Sequence, residues 1–100
     1  MTIVPAERVV RQRSVTAADQ WTESLRMFPG ELADVSVSGS FTATVRLERR
    51  LFGAQAWGLV KEYSEAEEDV LEAGGIQDVR IGVASGGFTS GPVLVVVAKG

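Results

Sequence analysis

The sequence predicts an all-β protein: a single-domain antiparallel β-sandwich of immunoglobulin-like size. Three observations point there. Within residues 41–49, positions 41–48 alternate apolar and polar side chains without a break. Short runs of the same kind recur at roughly 8–12-residue spacing, with Gly and Pro between them. A chain of 100 residues has enough surface to hide for one core, not two.

Taken in order, residues 9–15 read as a first strand or as an arm, so 1–13 are set apart as arm or first strand and 14–100 as the sandwich domain. Residues 22–27 form a faint strand with Leu25 and Met27 inward, ended by the turn dipeptide Pro29-Gly30. In residues 33–38, Ala33, Val35 and Val37 share one face. The most legible strand follows at 41–49. Phe41, Ala43, Val45 and Leu47 face inward; Thr42, Thr44, Arg46 and Glu48 face outward. Residues 57–63 read as a strand whose core contributors are Trp57, Leu59 and Tyr63.

Residues 65–73 admit two structures. Ser64 with Glu67 three residues on fits a capping box, and Gly74-Gly75 fits a helix stop, which together make a short helix. In an all-β setting the same residues make a charged edge strand. Val79, Ile81 and Val83 alternate with Asp78, Arg80 and Gly82 in the next strand. Residues 93–98 are apolar throughout, as expected of a strand covered on both sides or one whose outer face meets a partner. The Gly- and Pro-containing stretch between these two strands suggests a hairpin-like pair.

Composition narrows function. The chain has no Cys and no His. Disulfides, thiolate or imidazole metal ligands, and every Ser-His or Cys-His pair are thereby excluded. A net charge of −3 argues against nucleic acid as a partner. The longest apolar run is far shorter than the roughly 20 residues of a membrane-spanning helix, and no signal peptide is expected at the N-terminus. The carboxylates lack any accompanying base, nucleophile or oxyanion donor pattern, and no glycine-rich phosphate loop is present. The chain is not expected to be an enzyme or to need a cofactor or metal.

The remaining candidates are binding residues. Arg8, Arg11 and Arg13 make a basic N-terminal segment that either docks on an acidic neighbour or lies in a strand facing water. Arg46, Glu48 and Arg50 share the outward face of the best strand, suited to a partner sheet or to ordinary cross-strand pairing. Trp21, after the turn-like Asp19-Gln20, is a candidate for stacking on a sugar, whereas Trp57 is expected in the core. Glu62, Glu65, Glu67, Glu68, Asp69 and Glu72 form an acidic run without calcium-loop spacing, read as a solvated face or a guarded edge.

Residues 38–97 also carry a resemblance. Ser38-Gly39-Ser40-Phe41-Thr42-Ala43-Thr44-Val45-Arg46-Leu47-Glu48-Arg49 leads to a glycine turn, then Trp57, Val60 and Tyr63, then Val79 to Val83, then Phe88-Thr89-Ser90-Gly91 before the last strand. This order resembles small structural proteins of tailed bacteriophages. The sequence departs from that pattern at 50–56, where an Asp-Gly pair is usual, and at Pro92. The resemblance implies a non-enzymatic virion component, a capsid decoration (cement) protein or a head or tail accessory. It would be made in the host cytoplasm and would contact capsid or tail subunits and further copies of itself, but neither nucleic acid nor membrane. The alternative is a carbohydrate-binding or host-recognition module of a tail, with a glycan on Trp21.

Overall fold

Alternate side chains of the long strands are hidden, and two sheets bring those hidden faces together. The computed structural model describes residues 8–100. Its strands are β1 (Val9–Val15), β2 (Gln20–Trp21), β3 (Leu25–Met27), β4 (Leu32–Ser38), β5 (Thr42–Ala43), β6 (Val45–Leu51), β7 (Gly58–Tyr63), β8 (Glu67–Glu72), β9 (Gln77–Val83), β10 (Phe88–Ser90) and β11 (Val93–Lys99). The first sheet runs β1-β11-β4-β8. The second places β2 and β3 along one side of β9, followed by β6 and β7. Strands β5 and β10 form a small ribbon. Every pairing is antiparallel, so the sequence-predicted fold class is the observed one.

The core lies between the sheets. Val35, Val37, Val93, Val95 and Val97 meet Leu25, Met27, Val45, Leu47, Val79, Ile81 and Val83, none more than 2% exposed. Each fully hidden Val or Leu contributes about 1.5–3 kcal/mol of transfer free energy before chain entropy opposes it. Gln77 is the polar exception among the inward residues of β9. It is 1% exposed, and neither Nε2 nor Oε1 of its amide has a hydrogen-bond partner.

Two alternatives are decided and two expectations change. The segment 65–73 is strand, not helix: β4 offers it a full ladder from Leu32 to Val37, and that outweighs the local capping box. Residues 9–13 belong to β1 and pair with β11, so the division at residue 13 falls inside a strand; residues 1–7 lie outside the described residues. The strand at 41–49 breaks at Thr44, whose N–H donates to the Gly87 carbonyl, leaving β5 in the ribbon and β6 in the second sheet. Strands β9 and β11 are not a hairpin. They lie in opposite sheets, with β10 between them in the chain.

The third change has a single cause. In the pairing of β6 with β7, Leu47 opposes Lys61 and the next residue, Glu48, opposes Leu59. Val60 is therefore the extra residue of a β-bulge. Beyond it the side chains swap faces. Tyr63 stays inward and buried as expected, while Leu59 is 47% exposed and Trp57 lies half-buried on the outer surface rather than in the core.

Candidate interaction surfaces

Residues directly opposite in an antiparallel pair point to the same side. In the second sheet this rule stacks charged residues on the outer face. Arg46 and Glu48 on β6 oppose Gly82 and Arg80 on β9, and Arg50 opposes Asp78, which also opposes Arg26 on β3. Two acids thus sit among four arginines. Glu48 accepts from Arg46 Nε at 3.0 Å and from Arg80 Nη2 at 2.8 Å, and is only 6% exposed. Asp78 accepts from Arg26 Nε at 2.6 Å and lies 3.5 Å from Arg50 Nη2. The Arg26 hydrogen bond, with Arg50 adding to it, holds the Asp78 carboxyl below its ordinary value.

Two indoles close this ladder. The Arg80 guanidinium lies 4.0 Å from the Trp21 ring centre and 4.4 Å from that of Trp57, which also covers Arg50 at 4.7 Å. Gly82 makes the arrangement possible. A Cβ there would run into the Gln20 carbonyl oxygen and approach the Trp21 Cα to 2.7 Å, so only glycine lets β2 lie this close.

The open sides of the sandwich are closed by charge. Arg11 and Arg13 oppose the buried Val97 and Val95, so they leave edge strand β1 on its inner side, where Arg13 is exposed and Arg11 half-buried at the rim. They reach across to the second sheet's chain. Arg11 Nε donates to the Ser24 carbonyl at 3.1 Å and Arg13 Nη1 to the Trp21 carbonyl at 3.2 Å. With Trp21 and Glu23 they line an open groove of about 370 Å³. On the opposite side, Lys61 of β7 donates to Glu67 at 2.7 Å and Asp69 at 2.9 Å of β8, and the Tyr63 hydroxyl donates to Asp69 at 3.0 Å. The Lys61 bond, with further bonds from the Val70 N–H and Tyr63, holds Asp69 below its ordinary value. Burial first, and Asp69 next to it, push the Tyr63 phenol up.

The outer face of the first sheet differs. Across its middle run Val10, Ala98, Asp34 and Val70; in the neighbouring row are Gln12, Val96, Ser36 and Glu68. Val10 and Leu94 are each 42% exposed and Val70 58%. Arg8 bridges to Asp34 at 2.6 Å over the small Ala98 side chain. A shallow depression of about 410 Å³ lies among these residues.

The sequence-predicted binding residues therefore fall into three places. Arg8 is on the outer face of the first sheet, Arg11 and Arg13 are in one seam, and Arg46, Glu48, Arg50 and Trp21 come together on the second sheet. Alternation marks Arg80 and Asp78 only as outward residues of a strand, and it points Trp57 into the core. The signal for the first two was their parity with Gly82; that for Trp57 was hidden by the bulge. Among the described residues, no group of three or more acidic side chains is placed to hold a metal ion. Searched against protein-family models, curated proteins and solved structures, the chain matches none.

Proposed function

We propose that this chain is a non-enzymatic structural component of a virion, a capsid decoration protein or a head or tail accessory, that acts by attaching to other proteins and to its own copies. The observation that carries the attachment is the outer face of the first sheet. Val10 on β1, Leu94 and Val96 on β11, Leu32 on β4 and Val70 on β8 place apolar surface on each of its four strands, between short polar groups. Several large apolar side chains left outward on one sheet gain from being covered by a partner. The second sheet's outer charges are spent on each other, and with neither His nor Cys in the chain the ion-paired carboxylates have no catalytic partner of the usual kind. The resemblance of residues 38–97 to tailed-phage structural proteins supports the virion setting.

The test is to look for a major capsid gene beside its own and to co-sediment the chain with capsids assembled from that protein. The chain should pellet with them and raise their melting temperature, and Leu94→Glu should abolish both effects while leaving the fold intact. Equal pelleting of Leu94→Glu removes this face from the mechanism. The carbohydrate reading draws on Trp21 lining the groove with Arg13 and Glu23, although Arg80 already occupies one of its ring faces. Glycan-array binding lost in Trp21→Ala would favour it.

A further inference from the structure

The two edges of the first sheet carry opposite charge. The β1 segment holds Arg8, Arg11 and Arg13 and no acid; β8 holds Glu67, Glu68, Asp69 and Glu72 and no base. Each edge therefore repels its own kind and attracts the other. The four strands alternate in direction across the sheet. Because their number is even, a second copy set beside the first in the same orientation presents its β1 antiparallel to β8, continuing the existing pattern.

We propose that copies of this chain join head to tail by pairing β1 of one with β8 of the next, with Arg11 opposite Asp69, Arg13 opposite Glu67, and Val10 opposite Val70. Parity is satisfied. Arg11, Arg13, Asp69 and Glu67 all lie on inner faces, while Val10 and Val70 lie on outer ones. The same register sets Val9 beside Leu71 and Arg8 beside Glu72. A slip of two residues one way places Arg11 against Leu71 and Val10 against Glu72; the other way places Val9 against Asp69 and Val10 against Glu68. A slip of one residue turns inner faces outward.

The hydrogen-bonding phase agrees. The Ala73 N–H donates to the Glu31 carbonyl, so by alternation Glu72, Val70 and Glu68 turn their main-chain groups to the open edge. The Val70 N–H is instead held by its neighbour's Asp69 Oδ1 at 2.8 Å, and the Val10 carbonyl by Arg11 Nη1 at 3.3 Å. When the Val70 N–H donates to the Val10 carbonyl of the next copy, the two atoms set free are Asp69 Oδ1 and Arg11 Nη1. These belong to the residues that then stand opposite each other. The free chain thus keeps each edge covered by a side chain that becomes a cross-strand partner on assembly.

This deepens the self-association in the attachment reading and has its own test. Carrying both Val10→Cys and Val70→Cys, mildly oxidised, the chain should give a ladder of disulfide-linked multimers on a non-reducing gel, and neither single variant should. The native chain has no cysteine to confuse the result. Light scattering of the unmodified chain should show a mass that rises with concentration. Arg11→Glu with Arg13→Glu should lose assembly, as should Glu67→Arg with Asp69→Arg, and mixing the two reversed variants should restore it. A chain that stays monomeric at every concentration overturns the proposal, as do dimers from Val10→Cys alone or undiminished assembly of the reversed variants. A ladder that survives Leu94→Glu while capsid binding is lost separates this contact from the outer-face attachment.

Discussion

The two outer faces of the sandwich use similar strand geometry to opposite ends. On the second sheet, Arg46, Arg80, Arg26 and Arg50 surround Glu48 and Asp78, and two indoles lie over the guanidinium groups of Arg50 and Arg80. On the first, short polar groups alternate with Val10, Val96, Leu94 and Val70, and Arg8 with Asp34 is the ion pair nearest the centre. A face whose strong groups answer one another gives a newcomer little to gain. A face that leaves apolar surface in water gains from being covered, at roughly 25 cal/mol per Å² removed from solvent. The difference separates a surface that holds the fold from one that is available for binding.

The sharpest way to break this contrast is Glu48→Ala. It leaves Arg46 and Arg80 side by side without their shared carboxylate. Because both guanidinium groups keep some contact with water, the loss is expected at about 2–4 kcal/mol, below that of a fully buried pair. Urea unfolding measures it. A loss no larger than that of an ordinary surface residue would return this ladder to the status of solvated charge. Trp57→Ala comes next. It uncovers Arg50 and Arg80 and should cost about 1–2 kcal/mol in the same experiment.

Acid probes the ladder without truncating it. Asp78 titrates below its ordinary 3.8 in the folded chain because Arg26 and Arg50 favour its charged form. The stability it supplies is therefore present above that ordinary value and drains away as pH falls through the depressed one. Asp78→Asn should melt below the unmodified chain at neutral pH, and the gap should close in acid. A gap that persists unchanged to low pH would show that charge is not its source. The smallest stability effect belongs to the first sheet. Leu94→Ser should shift stability by no more than about 0.5 kcal/mol, as expected for an exposed position, and yet should weaken capsid pelleting.

Much of this architecture was legible in residue order because burial follows period two. Ala33, Val35 and Val37, and Val79, Ile81 and Val83, were placed inward by alternation and are buried. Alternation says which residues share a face but not which strands are neighbours, so the separation of β9 and β11 into opposite sheets was not visible. Nor does it survive a bulge: Val60 reverses the faces of Leu59 and Trp57. Alternation does not tell that Arg11 and Arg13 leave β1 on its inner side, because a charged side chain on an edge strand can start inward and still reach water and main-chain carbonyls at the rim. The ladder itself needed the pairing of β6 with β9, since Glu48 and Arg80 are distant in the chain and adjacent only across the sheet.

The bulge at Val60 has a consequence for growth. A strand arriving along β7 would meet a kinked and over-twisted border and lose its ladder after a few residues. The border formed by β8 carries no such interruption in its pairing with β4. Lengthening by strand addition would thus be favoured at β8 over β7. Units linked in this way would be hinged along a single layer, and the unbonded margins of the other layer would set how far each joint can open or fold.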